Sequence, residues 1–245
     1  MTDPTTDFGH ERVSAGEKTR RVAAVFRSVS DRYDLMNDFM SLGLHRLMKR
    51  ATLEMSAIRP NDVVLDLAGG TADLAALYAP LLGDEGSVIL MDINEAMLTR
   101  GRDRLIDQGI TSALCVQGNA ECLPLGDATI DCLSIAFGLR NVTHKERALS
   151  EMHRVLKPNG RLLVLEFSKP KNAFIRGGFE VYSSIWPFVG RFVTGDSDAY
   201  RYLVDSIATH PDQETLTMML GDAGFTQTRV FDFLGGIVAL HLGVR

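Results

Sequence analysis

The stretch VLDLAGGTADLA, residues 64–75, decides the fold. An apolar run closes on Asp66, turns through Gly69 and Gly70 and continues as an amphipathic segment, the pattern of a buried strand running into a helix. Glycine lets the backbone approach a ligand closely, and a helix N-terminus presents unpaired N–H groups. The same glycine pair would also serve a tight turn that merely packs helix on sheet, so the loop alone leaves both readings open.

Outward from it, short apolar runs recur: DVVLDLA (62–68), SVILMDI (87–93), ALCVQGN (113–119), IDCLSIAFG (130–138) and RLLVLEFS (161–168). Helix-like stretches separate them, with Asn94 as an N-cap before EAMLTRGRDRL and Thr143 with Glu146 as a capping box before RALSEMHRVL. KPNG at 157–160 then stops that helix and turns into the fifth strand. Near-continuous apolar strands alternating with helices predict a parallel sheet covered on both faces. After a helix near residues 213–223, TQTRVFDFL and IVALHLGV, joined by Gly235 and Gly236, read as an antiparallel hairpin on the sheet edge. The predicted class is therefore α/β, a doubly wound, mostly parallel seven-stranded sheet with a C-terminal antiparallel hairpin and helical caps.

The domain reading is a flexible arm over 1–20 and one domain over 21–245. That domain divides into a helical cap (21–60), a cofactor-binding core (61–168), an aromatic-rich insert on the substrate side (169–210) and a terminal helix with hairpin (211–245). Both cap and insert are placed to cover the carboxyl edge of the sheet, where such folds bind ligands.

Composition narrows the function. The 245 residues are 45% apolar and 23% charged, an ordinary globular balance that excludes disordered, collagen-like and disulfide-scaffold classes. Lys plus Arg number 26 against 31 Asp plus Glu, a net charge of −5 that disfavours nucleic acid. Cys115, Cys122 and Cys132 form no CxxC and read as buried thiols in a reducing compartment. No apolar run long enough for a transmembrane helix occurs, and the polar first 21 residues do not read as a secretory signal. The six histidines are scattered and no HxxxH or HExxH occurs, so no metal site is expected.

Asp92 lies 92 − 66 = 26 residues after Asp66 and ends the next strand, where a carboxylate aimed into the crevice can accept both hydroxyls of an adenosine ribose. Asn119 and Ala120, in GNAECLP (118–124), close the third strand beside the expected adenine. Three strand ends thus converge on an adenosine-sized ligand. A dinucleotide needs GxGxxG, whereas this loop runs Gly69-Gly70-Thr71-Ala72-Asp73, and Asp73 would repel a phosphate. S-adenosylmethionine, which carries no phosphate, suits it better than NAD.

With these motifs in place, the chain resembles the ubiquinone/menaquinone biosynthesis C-methyltransferases, class I S-adenosylmethionine-dependent enzymes, from about residue 25 to the end. The resemblance rests on VFRSVSDRYDLMNDFMSLGLHRLMKR (25–50), MDINEAML, FGLRNVTHKERALSEMHRVLKPNGRLLVLEFSKP (137–170), YRYLVDSI (200–207) and HPDQETL (210–216), beside the loop and ribose motifs. It implies methyl transfer to a ring carbon of a polyprenylated quinol, 2-methoxy-6-polyprenyl-1,4-benzoquinol or demethylmenaquinol. It also implies Thr71, Asp92, Asn119 and Ala120 as cofactor residues beside Gly69 and Gly70. The chain departs from the family at Ala72 (usually Gly), Met48 (usually Trp) and Ala136 (Ser in some members).

Such chemistry needs alignment, water exclusion and stabilisation of a phenolate. Arg140 is the candidate cation; a salt bridge to the capping helix is its alternative reading, and the resemblance turns it toward the site. Asn141 is a candidate to orient a quinol oxygen and Tyr33 to reach the crevice from the N-terminal cap, with His45 and His210 in family motifs as weaker candidates. A prenylated substrate further implies peripheral, mostly hydrophobic membrane contact through the insert around Trp186, a cytoplasmic location on the inner face of the membrane, and other quinone-biosynthesis enzymes as partners. An NAD-dependent reductase and a non-catalytic scaffold are the rivals; the loop opposes the first, and the presence of Asp92 and Arg140 the second.

Overall fold

The computed structural model describes residues 5–8, 11–29, 41, 43–193 and 197–245. An N-terminal hairpin, β1 (Thr5–Phe8) and β2 (Glu11–Ser14), leads into α1 (Ala15–Val29). Helix α2 (Leu44–Ser56) precedes β3 (Val63–Leu67), α3 (Asp73–Tyr78), β4 (Ser87–Asp92), α4 (Glu95–Asp107), β5 (Leu114–Gln117), β6 (Ile130–Ala136), α5 (Lys145–Val155) and β7 (Leu156–Phe167). Helices α6 (Ala173–Val193), α7 (Ser197–Thr209) and α8 (Gln213–Asp222) follow, then β8 (Thr226–Phe233) and β9 (Val238–Val244).

The seven strands β3 to β9 form one sheet in the order β5-β4-β3-β6-β7-β9-β8. The first five are parallel, and β9 joins β7 and β8 antiparallel, as the sequence predicts. Alternation along each strand feeds two apolar cores. Leu65, Leu67, Leu133 and Ile135 pack with Leu149 and Met152 of α5 and Leu216 and Leu220 of α8. On the opposite face Val64, Leu90 and Cys132 pack with Leu74, Ala75 and Tyr78 of α3 and Leu98 and Leu105 of α4. Each fully buried leucine contributes roughly 1.5–3 kcal/mol. Strand order reverses at β3, which lies between β4 and β6, so the crevice opens beyond the carboxyl ends of these strands. In register, Asp66 sits beside Leu90 and Ser134, and Asp92 beside Gln117.

Three expectations change. The segment read as an arm over 1–20 instead carries the β1–β2 hairpin and the first turns of α1, with Phe8 stacked on Tyr202 at 4.6 Å between ring centroids. The capping box at Thr143 and Glu146 does not form. The N-cap falls one residue later, on His144, and Oε1 of Glu121 accepts the backbone N–H groups of Thr143 and His144, each at 3.1 Å. KPNG lies within the span of β7, where Asn159 takes a left-handed φ of 63° and the pairing with β6 shifts register. The Asn94 cap forms as read, its side-chain oxygen accepting from the N–H groups of Ala96 and Met97.

Candidate active site

The loop after β3 is built from non-helical backbone. Ala68, Gly70 and Ala72 all have positive φ, of 53°, 55° and 68°. Ala72 therefore bears the strain that glycine would avoid, on the order of 1–2 kcal/mol. Gly69 is required by packing, since a Cβ there would lie 2.4 Å from Cδ1 of Leu90 and 2.7 Å from a carboxylate oxygen of Asp66. That carboxylate accepts the N–H of Ala75 at 2.9 Å and fixes the start of α3. Burial pushes the Asp66 carboxyl up to about 7.

Asp92 stands at the end of β4, 8% exposed, and accepts N–H bonds from Gly70 (3.0 Å, Oδ2) and Asn94 (2.8 Å, Oδ1). Each carboxylate oxygen keeps lone-pair capacity, and burial raises the carboxyl above its ordinary range against the backbone N–H groups of Asn94, Gly70 and Ile93. It lines a cavity of about 310 Å³ together with Gly70, Gly118, Asn119, Ala120, Gly138 and Asn141. Gly69 and Thr71 do not line it; the Thr71 carbonyl accepts from Arg104 instead. The Oδ1 of Asn119 accepts the N–H of Glu121 at 2.9 Å, which shapes the strand end beside Ala120.

A second cavity, about 370 Å³, adjoins the first at Phe137, which lines both. Phe167 of β7, Ile175, Phe179, Tyr182 and Trp186 of α6, and Leu203 and Ile207 of α7 make its walls. Arg140 is on this wall, and Met48 and Ala136, two of the family departures, line it as well. The Nη1 of Arg140 donates to Oε1 of Glu166 at 2.8 Å and to the carbonyl of Phe137, and its guanidinium lies 5.5 Å from the Phe167 ring centroid. Arg140 is thus ion-paired, to Glu166 of β7 rather than to the capping helix, and it lines the cavity. Asn141 lies on the first cavity, where its Oδ1 accepts the Tyr202 hydroxyl at 3.0 Å. His45 is on the second cavity with Nδ1 at 2.7 Å from Ser41 Oγ, whereas His210 is buried and lines neither cavity. Tyr33 falls outside the described residues.

Asp73 does not act as expected. Its carboxylate is clamped by Lys49 and Arg104, both at 2.6 Å. Burial pushes its carboxyl up, but the two cations outweigh burial and hold it below the ordinary range. With two cations on one carboxylate, repulsion of a phosphate no longer follows, and the case against a dinucleotide rests on the missing glycine fingerprint. The sequence does not single out Phe137, Glu166 or Tyr202 for the site, whereas Val22 and Ala23 of α1, within the expected helical cap, do line the first cavity, with Arg20 beside them. Phe137 does carry a signal, the motif FGLRN, but its φ of 56°, which turns the chain between the cavities, is invisible in sequence.

The sequence and the fold have counterparts among known proteins. A model of the ubiE/COQ5 methyltransferase family matches residues 14–245. The ubiquinone/menaquinone biosynthesis C-methyltransferase UbiE of Teredinibacter turnerae is 55% identical over 243 residues, 98% of each chain. The protein of the same name from Cellvibrio japonicus is 56% identical over the same span. In fold, the chain is similar to a SAM dependent methyltransferase from Aquifex aeolicus, with a TM-score of 0.60, 17% identity, and 80% and 88% of the two chains covered. It is likewise similar to a Haemonchus contortus N-methyltransferase, with a TM-score of 0.61, 13% identity, and 81% and 52% covered. A family match over residues 14–245, which takes in α1, the residues lining both cavities and the terminal strands, places this chain in the ubiE/COQ5 methyltransferase family.

Proposed function

We propose that the chain transfers a methyl group from S-adenosylmethionine to a ring carbon of a polyprenylated quinol, the benzoquinol or naphthoquinol precursor of ubiquinone or menaquinone. The observation that carries this reading is the pair of cavities meeting at Phe137, one holding the Asp92 carboxylate with Asn119 and Asn141, the other walled by aromatic and aliphatic side chains. An adenosine ribose fits the first because both Asp92 oxygens retain acceptor capacity in a buried site. A quinol with an apolar tail fits the second.

When bound, S-adenosylmethionine supplies an electrophilic methyl on a sulfonium. Asp92 would hold the ribose, with Gly70 and Gly118 at the cavity wall and Asn119 and Ala120 at the base. The apolar walls exclude water and align the ring. Phenols titrate near pH 10, so at neutral pH a quinol is mostly protonated. The positive charge of Arg140 lowers the cost of a phenolate beside it. Because Glu166 takes Nη1 and lies away from the cavity, the substrate meets the cationic end of a buried dipole. Asn141, anchored by Tyr202, has its amide nitrogen free to orient a ligand oxygen from the cofactor side. Tyr33 is assigned to the same task from the N-terminal cap.

Among the described residues no helix is long and apolar enough to cross a membrane. Peripheral contact is proposed through one face of α6, where Phe174 (90% exposed), Val181 and Ile185 recur at helical spacing. Trp186, read from sequence as the contact, is buried in the cavity wall.

The test is incubation of purified protein with methyl-labelled S-adenosylmethionine and each of the two quinols. Label on a ring carbon is expected. Stabilisation by NAD or NADP but not by S-adenosylhomocysteine in a thermal-shift panel would favour the reductase instead.

A further inference from the structure

We infer that Arg20, on α1, is the counter-ion for the amino-acid carboxylate of the cofactor; this rests on the S-adenosylmethionine reading above. The carboxylate of that ligand needs a donor inside the first cavity, and the glycine loop has little to offer. The Gly69 N–H donates to the Met91 carbonyl, the Gly70 N–H to Asp92, and the Ala72 N–H to the Gly69 carbonyl. These amides are consumed within the protein.

Charge then decides. Among the described residues that line the cavity, the charged side chains are Arg20, Asp92 and Glu121. Glu121 is spent on the N–H groups of Thr143 and His144, and Asp92 is acidic, so an incoming carboxylate meets a single cation. A guanidinium has the fork geometry that suits a carboxylate. Helix α1 is seated over the cavity by two contacts. The side chain of Asn94 donates to the Ala23 carbonyl at 3.3 Å, and Phe8 of the preceding hairpin stacks on Tyr202. The N-terminal segment, read from sequence as a mobile arm, thereby becomes part of the cofactor site.

The experiment is calorimetry with two ligands, S-adenosylhomocysteine and its decarboxylated analogue, which keeps the amine. Wild-type protein, Arg20→Met and Arg20→Lys are compared, with circular dichroism as the check on folding. Wild type should bind S-adenosylhomocysteine at least about tenfold more tightly than the analogue. Arg20→Met should erase most of that margin and leave the analogue unchanged, and Arg20→Lys should keep an intermediate margin. A margin untouched by Arg20→Met, or both ligands weakened by one common factor, overturns the assignment of Arg20 alone. Wild type that binds neither ligand overturns the cofactor reading, and this inference with it.

Discussion

Oε1 of Glu166 accepts from Nη1 of Arg140 at 2.8 Å, with only 1% and 4% of the two side chains exposed, while Oε2 accepts the Arg140 backbone N–H at 3.2 Å. One carboxylate therefore fixes both the turn and the guanidinium of the residue that faces the apolar cavity. Removing one member of a buried pair leaves the other unpaired and costs about 3–5 kcal/mol. Glu166→Ala should destabilise the fold by an amount of that order, measured by chemical denaturation. Glu166→Gln, which keeps an acceptor, should lose less stability but misplace Arg140 and lower kcat. A Glu166→Ala variant as stable as wild type would show that the pair is not held in solution.

Asp92→Ala removes the acceptor for two backbone N–H groups and for the proposed ribose hydroxyls. Each charge-assisted bond is worth about 1.5–3 kcal/mol, so affinity for S-adenosylhomocysteine should fall at least tenfold. Calorimetry that finds a folded Asp92→Ala protein with undiminished affinity would take Asp92 out of the site.

Two buried groups give opposite pH slopes. Asp66 is held up at about 7 by burial, so between pH 4 and 7 the folded chain keeps a proton that the unfolded chain has lost, and stability falls as pH rises. Burial pushes His210 down to about 4, so below pH 6.5 the unfolded chain takes a proton that the folded chain refuses, and stability falls as pH drops. Relative to wild type, Asp66→Asn should make the melting temperature climb more steeply from pH 4 to 7. His210→Gln should make it climb less. Variants whose profiles run parallel to wild type would contradict both assignments.

Gly69→Ala would drive a methyl into Leu90 and the Asp66 carboxylate. Overpacking of this kind costs about 1–3 kcal/mol. Denaturant titration should show that loss, together with weaker cofactor binding as the loop shifts; a neutral substitution would mean the loop relaxes freely.

Val181→Asp with Ile185→Asp should abolish flotation on zwitterionic liposomes, and salt should not affect wild-type flotation, because the proposed contact is apolar. Recovery only on anionic lipid, lost on adding salt, would point to an electrostatic surface instead.

The sheet was legible because each core strand reads as an apolar run ended by a polar or glycine signal, from Asp66 to Ser168, and because Gly235 and Gly236 mark the hairpin. Asp92, Asn119 and Ala120 were legible for the same reason, since strand ends of a parallel sheet converge on one crevice. Partners distant in sequence were not. Nothing in the spacing couples Arg140 to Glu166, 26 residues on, or Asn141 to Tyr202, 61 residues on. Strands β1 and β2 are short and polar, without the alternation that marks a strand, and Phe8 of β1 stacks on Tyr202, far away in sequence. Asp73 was misjudged because its two cations come from α2 and α4.

The central claim is that Arg140 favours the phenolate of a quinol bound in the apolar cavity. It is tested most directly by kcat against pH for wild type and Arg140→Ala, with cofactor affinity measured alongside. Loss of one preorganised electrostatic group typically costs on the order of 10²–10³ in kcat. The expected result is a loss of that size at neutral pH with unchanged affinity for S-adenosylhomocysteine, and partial recovery as pH rises toward the phenol pKa. A variant that keeps kcat within about threefold of wild type at neutral pH, or whose loss is the same at every pH, would contradict it.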